Sequence, residues 1–406
     1  MDQVIICGGG PVGLITALGL VRNGIPVTVF EIQDELQDDP RAATTHPASL
    51  ELLDQLGLEQ AVRAAGLVAP VFQFHDRVTG EMVAEFDHAV LEGETKFPYV
   101  VQTEQFKISN IVLEQLKQEP QAKILFGHEV IGIQADDDNV TVRTRSNAGE
   151  QDHIARYVVA SDGARSFVRK SLGIEFEGFT FQEMFMVLTT PFDFEANMGY
   201  SYRNYFADPD EWCNCFKVAA DGPPGLWRLV FPADPEKPEE ELLGEKAVQA
   251  KLQKFFPKDG DYELAHRNLY RIHQRVAKTF RQGRVMLAGD ASHANNPIGG
   301  MGLNGGIQDA MNLVEKLSDV WHGRGDDTLL DLYDIQRRTV ATQFVQAQSI
   351  QNKKRLETRD HEAREANFRE LREMAADPVR AKAFLMQTSM LESMRRANNT
   401  FSAGDQ

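Results

Sequence analysis

A short apolar run, Val4 to Cys7, leads directly into Gly8-Gly9-Gly10-Pro11-Val12-Gly13 and then into the helical pattern Leu14 to Asn23. No other feature of the 406-residue chain limits its fold as much. Four consecutive apolar residues with no polar alternation read as a strand buried on both faces, the habit of a parallel sheet. Pro26 to Phe30 repeats that style and ends at Glu31, so the segment predicts one βαβ unit. Gly8-x-Gly10-x-x-Gly13 at such a junction brings the backbone close to a pyrophosphate, whose charge meets the helix N-terminus. Pro11 and Val12 lie in the same turn, and Glu31 stands where a ribose hydroxyl finds its acceptor. The segment therefore reads as a dinucleotide site, with a tight structural turn as the competing reading.

Further on, Ala48 to Leu56 reads as a helix stopped by Gly57, segments 71 to 74 and 82 to 86 as hairpin strands, and Glu104 to Lys117 as an amphipathic helix. Ala122 to Arg145 gives strands that turn at 136 to 139, and Tyr157 to Ala160 returns to the buried-strand style. From about 181 to 280 helix signals thin out, and alternating residues such as Trp227, Leu229 and Phe231 predict an antiparallel sheet. Arg284 to Ala288 then resumes the buried strand, followed by a helix from Gly305 to Leu317. The tail from about 351 is rich in Arg and Glu, with Leu356, Phe368, Leu371 and Met374 at partly helical spacing. Its charge runs read as solvated helix faces, with a homodimer contact or a lid as the lesser reading.

The fold class expected is therefore α/β: a GxGxxG-type parallel sheet domain, a mixed or antiparallel sheet substrate domain and a C-terminal helical tail. The expected boundaries are 1-70, 99-180 and 281-350 for the discontinuous nucleotide domain, 71-98 and 181-280 for the substrate sheet, and 351-406 for the tail. A formal net charge of -17 argues against nucleic acid and anionic membrane surfaces as partners, because both require a basic footprint. The three cysteines, Cys7, Cys213 and Cys215, fit neither a zinc knuckle nor a CxxC redox pair and read as free thiols in a reducing cytoplasm. The opening MDQVIICGGG has no basic leader, so neither a signal peptide nor a membrane span is expected, and the expected location is cytoplasmic.

Two further motifs follow buried strands: Asp162-Gly163-Ala164-Arg165-Ser166-Phe167-Val168-Arg169 and Gly289-Asp290-Ala291-Ser292-His293. With the glycine fingerprint they resemble the three-motif set of the FAD-dependent aromatic hydroxylases, the family typified by para-hydroxybenzoate hydroxylase. The resemblance spans about residues 1 to 180 and 280 to 320. It implies FAD as cofactor, with Asp290 of the Gly289-Asp290 motif on the flavin ribitol. It also implies that Asn296-Pro297-Ile298-Gly299-Gly300-Met301-Gly302-Leu303-Asn304 is the glycine-rich turn against the flavin ring. Gly300, Gly302, Leu303 and Asn304 are then cofactor contacts, and Pro297 shapes the reaction chamber. Asp162, and less directly Arg165 and Arg169, fall on a motif shared between FAD and pyridine nucleotide; a helix-capping Asp162 with arginines in ion pairs is the alternative. Arg41 and Gln102 match positions that touch the pyrophosphate or ribityl part, with a surface salt bridge and a helix cap as alternatives.

The activity implied is a monooxygenase: NADPH or NADH reduces FAD, O2 forms a flavin C4a-hydroperoxide, and one oxygen atom is placed on a phenolic or other small aromatic substrate. No metal is required. The sequence offers no second GxGxxG placed directly after a buried strand for a separate nicotinamide domain, no GxSxG elbow and no metal-ligand spacing. Phenol oxidation benefits from a nearby proton acceptor, for which the candidates are His46 and, in the aromatic insert, Tyr200, Tyr202 or Tyr205, Tyr202 being the tyrosine selected. Arg203 is a candidate anchor for an anionic substrate such as an aromatic carboxylate. Rival readings are a related flavoenzyme acting on a quinone precursor, polyketide or isoprenoid, or a flavin-binding protein without turnover.

Overall fold

The computed structural model describes residues 2–38 and 42–400. Val285–Leu287, Tyr157–Ala160, Val4–Cys7, Val27–Phe30 and Ala122–Leu125 lie side by side in that order, all parallel, with Arg281–Gln282 added antiparallel at one edge. The first four of these strands are buried along their whole length, as unbroken apolar runs require when helices cover both faces. The helix Pro11–Arg22 starts with proline at its first turn and has no side-chain cap, so its leading N–H groups point out of the sheet's carboxyl end. It packs beside the helix Met301–Trp321, which begins nearer the glycines than expected.

The second sheet has eight strands in the order His293–Ala294, His266–Ala277, Phe176–Thr190, Leu226–Ala233, Cys213–Val218, Arg203–Ala207, Val71–Asp76 and Met82–Asp87. All neighbours are antiparallel except Arg203–Ala207 with Val71–Asp76, which is parallel. Alternation divides the sheet into two faces. Met186, Leu188, Phe206, Trp227, Leu229 and Phe231 form an apolar layer with Val248 and Leu252 of the helix Glu245–Phe255. That helix was not expected, since only its apolar stripe marks it among Glu, Lys and Gln. The alternate residues Phe185, Val187, Phe216 and Val230 face the opposite way, toward the parallel sheet.

The helix Thr328–Thr339 runs through a π-helical segment, Val340–Gln346, into Ala347–Glu357. The tail continues as His361–Ala376, Pro378–Thr388 and Leu391–Thr400. Leu356, Phe368, Leu371, Phe384 and Leu385 are buried in one apolar cluster with Phe72, Phe86 and Leu91, so the tail closes one end of the eight-stranded sheet. Among the described residues, no helix is long and apolar enough to cross a membrane.

Candidate active site

At the carboxyl ends of the parallel strands lies a groove of about 430 Å³, walled by Gly10, Pro11, Val12, Glu31, Asp162 and Asp290. This is the place where open α/β sheets bind nucleotides. The residues present suit a dinucleotide: a Cβ added at Gly10 would meet nothing within 4 Å, so the turn leaves room on its open side for a ligand's phosphates. At Gly13 the same addition would fall 2.1 Å from the Gly8 carbonyl oxygen, so this glycine is required for the helix to approach the first strand at all. Glu31 closes the far end, its carboxylate accepting from Gly9 N at 2.6 Å and Gln33 N at 3.0 Å.

The groove opens into a chamber of about 440 Å³. Gln105, Asp290, Gly302 and Leu303 wall both, so the two spaces meet at these residues. One side of the chamber is the inner face of the eight-stranded sheet, with Val187, Tyr205, Phe216 and Val230, and the other is the turn Pro297 to Leu303. Gln102 lines it as well: its Oε1 accepts from Thr44 Oγ1 at 2.8 Å, while its buried Nε2 has no partner among the described residues.

The turn is held by side chains. Gly300 is left-handed, with φ +71, and a Cβ there would meet Thr44 at 2.9 Å. Asn304 donates to Thr44 O at 2.8 Å and Gly300 O at 2.6 Å and accepts from His46 N at 2.8 Å, tying the turn to the Thr44-Thr45-His46 segment. Behind it, fully buried Asp309 accepts from Arg337 Nε at 2.7 Å, Gly289 N at 3.0 Å and His293 Nε2 at 2.7 Å. Burial alone would raise the Asp309 carboxyl, but His293 and Arg337 outweigh it and bring it down to about 2. Asp309 and Arg337 were missed by sequence reasoning. The available signal was a lone carboxylate on the face of a helix otherwise made of Leu303, Ile307, Ala310 and Leu313.

Beside Gly299 the chamber extends into a recess walled by His46, His88, Arg203, Tyr205, Phe72 and Phe384. Arg203, Tyr205 and Gly299 belong to both spaces. His46 Nε2 lies 2.7 Å from Gly299 O. A carbonyl oxygen only accepts, so the proton sits on Nε2 and Nδ1 is bare; that atom is buried without a partner among the described residues. Burial, then the Arg203 charge, lowers His46 to about 3, and its hydrogen bond to Gly299 only partly opposes them.

The expected site residues therefore separate by location. Gly10, Pro11, Val12, Glu31 and Asp162 wall the groove, Gln102, Pro297 and Gly300 the chamber, and Asp290, Gly302 and Leu303 both. Gly8, Gly13 and Gly289 support these walls from beneath, and Arg41 lies outside the described residues. Asn304, expected on the cofactor, lines neither space, because its amide is fully engaged in pinning the turn. Tyr202, selected as a catalytic tyrosine, is not at the chamber. It has the alternation of Phe206 and packs under the Lys217 ammonium, 5.2 Å from its ring, whereas Tyr205 faces inward. Arg169 is buried, donating to Ala291 O and Ala164 O at 2.8 Å and lying over Phe176, so it braces the Asp162 and Asp290 loops. Asp162 accepts from Ser166 Oγ at 2.6 Å and Val168 N at 3.0 Å, the capping geometry. Burial raises its carboxyl while those bonds pull the other way.

A nucleotide groove that opens into a chamber lined by Tyr205, Phe216 and Tyr270 fits a flavoprotein oxidoreductase of the two-sheet type. The family described as FAD binding domain matches residues 1–348. The chain is 35% identical over 402 residues to para-nitrophenol 4-monooxygenase of Pseudomonas sp. (strain WBC-3), covering 97% of each. It is 34% identical over 356 residues to 6-hydroxy-3-succinoylpyridine 3-monooxygenase of Pseudomonas putida (strain DSM 28022 / S16), covering 87% of this chain and 89% of that one. The crystal structure of p-nitrophenol 4-monooxygenase from Pseudomonas putida DLL-E4 superposes with TM-score 0.91 at 34% identity, covering 97% of this chain and 98% of that chain. The chain belongs to the FAD-dependent aromatic hydroxylases, and it is a flavoprotein monooxygenase that hydroxylates an aromatic compound with O2 and NAD(P)H.

Proposed function

We propose that the aromatic compound is a small phenol, of the class named for the para-nitrophenol 4-monooxygenase that this chain resembles along 97% of its length. One observation carries the reading: Asp290, Gly302 and Leu303 wall the nucleotide groove and the chamber together, so a ligand in one reaches a ligand in the other. Gly10, Pro11 and Val12 hold the pyrophosphate at the N-terminus of Pro11–Arg22, with Glu31 at the adenosine ribose. Asp290 and the free amide of Gln102 take the ribityl chain. The ring lies along Pro297 to Leu303, where the N-terminus of Met301–Trp321 favours a negatively charged ring edge. When bound, the flavin supplies the redox chemistry, accepting electrons from NAD(P)H and activating O2. The chain's own work is to orient the phenol against that ring, to exclude water with the apolar sheet face, and to receive the phenolic proton. We further place the reaction in the cytoplasm, a reading supported by three buried free thiols.

A panel of phenols, scored for NAD(P)H and O2 consumed against hydroxylated product, tests this reading. A small phenol should give product in proportion to both. Consumption without product for every phenol would contradict it. Asp290→Ala should lose most of the bound flavin, and unchanged flavin absorbance would remove Asp290 from the cofactor.

A further inference from the structure

The recess beside Gly299 holds one guanidinium and two imidazoles with no carboxylate among its walls. Arg203 is 6% exposed, donates to Tyr205 Oη at 3.2 Å and lies over the Phe72 ring, and it has no ion pair with any described residue. His88 is 1% exposed, and its Nδ1 sits 2.7 Å from Pro70 O. That carbonyl fixes the tautomer: the proton is on Nδ1, and Nε2 carries a bare lone pair with no partner among the described residues. A donor that cannot lose its proton and an acceptor that has none thus line the same recess. A carboxylate or nitro group would satisfy Arg203 but would set its own lone pairs against that of His88. A hydroxyl matches both, because one oxygen can accept from the guanidinium and donate to the imidazole.

Resting on the reading that the substrate is a phenol, we propose that the recess is the hydroxyl subsite, with Arg203 donating to the phenolic oxygen and His88 Nε2 receiving its proton during oxygen transfer. As the ring yields electron density to the incoming oxygen atom, the phenolic O–H becomes strongly acidic. The O–H bond breaks, its electron pair stays on the phenolic oxygen, and an N–H bond forms at Nε2. Burial first, and then Arg203, lower His88 to about 3, with the Pro70 bond opposing, so the ring is neutral before each turnover and, as a weak base, takes the proton only once the reacting phenol has become strongly acidic. The titratable groups facing it are Arg203 and Tyr205 from one strand and His46 from the turn before the helix Pro47–Gln55. From the tail, Pro378–Thr388 brings Phe384 and Thr388, while its Lys382 pairs with Glu94 instead. Asp87, next in sequence, caps Ala89 N. Nothing local in the sequence marks His88, which lies between Asp87 and Ala89 with no motif around it.

The test uses flavin-loaded enzyme and His88→Asn, whose amide can keep the bond to Pro70 O while removing the Nε2 acceptor; His88→Gln is the second variant in case the first does not fold. Across phenols of graded acidity at one pH, the variant should lose about 100-fold in kcat/KM on phenols that are un-ionised in solution. It should lose little on those already ionised, and raising the pH above the phenol's own pKa should restore the rate. In direct titration, wild type should bind a phenol more tightly than the benzoate of the same ring, and the variant should lose that preference. An equal loss on all phenols, or a benzoate bound as tightly as the phenol by wild type, overturns the proposal. If wild type hydroxylates no phenol, the functional reading fails while the titration still judges the subsite.

Discussion

The nucleotide groove and the recess lie at two ends of one continuous space, yet they are built from different materials. The groove joins a glycine turn and a helix N-terminus to the carboxylates Glu31, Asp162 and Asp290 at the ends of buried strands. The recess is made of side chains from seven separate stretches, represented by His46, Phe72, His88, Arg203, Ile298, Leu356 and Phe384. Apart from its carboxylates, the groove depends on where the chain can go and tolerates most side-chain changes outside its glycines. A side-chain site fails one residue at a time, and it can differ between relatives while the groove stays the same.

The largest effect that would break this contrast lies at the joint between the two regions. Asp309→Ala leaves the Arg337 guanidinium buried without its partner, and the expected loss is about 3–5 kcal/mol of unfolding free energy together with bound flavin. A denaturant midpoint near that of wild type would show the pair to be dispensable. The recess should also carry a pH signature. His46 and His88 are held neutral in the folded chain, lowered from the ordinary value of 6.5 to about 3, whereas the unfolded chain binds a proton on each below 6.5. Stability is therefore complete above 6.5 and falls as the pH drops toward 3, by about 1.4 kcal/mol per pH unit for each imidazole. Denaturation at pH 6.5 and 5.5 reads the slope, and His88→Asn should remove about one proton from it; an unchanged slope would put His88 outside the buried set.

Arg203→Gln should weaken phenol binding by about 1.5–3 kcal/mol, the range for a hydrogen bond to a charged donor, while flavin content stays as in wild type. Parallel losses of flavin and phenol would mean that recess and groove are not separable. At the bottom of the scale, Tyr202→Phe should change kcat/KM and stability by less than about 0.5 kcal/mol, because its ring packs under Lys217 away from the chamber. A large kinetic loss there would reinstate it as a site residue.

The same contrast explains what was legible in the sequence. Val4 to Cys7, Val27 to Phe30 and Tyr157 to Ala160 each announce a buried strand by themselves, and the glycines state their turn within six residues, because a backbone site writes its constraints locally. Alternation likewise exposed the eight-stranded sheet, though not which face each tyrosine takes. Tyr202 and Tyr205 differ by an odd number of residues, so they take opposite faces, and only Tyr205 lines the chamber. Asn304 looked like a cofactor contact because it ends the glycine-rich run, but its amide is engaged by Thr44, His46 and Gly300, two of which lie more than 250 positions away. His88 and the tail residue Phe384 reach the recess only through tertiary packing, which no local pattern encodes.

A crystal structure of the flavin complex tests the central claim most directly. The account predicts the adenosine end at Glu31, the pyrophosphate over Gly10 to Val12, and the isoalloxazine passing Asp290 to lie along Pro297 to Leu303, facing the sheet residues Val187 and Val230. A flavin bound elsewhere, or with its ring turned out of the chamber so that the recess beside Gly299 has no access to it, would contradict it.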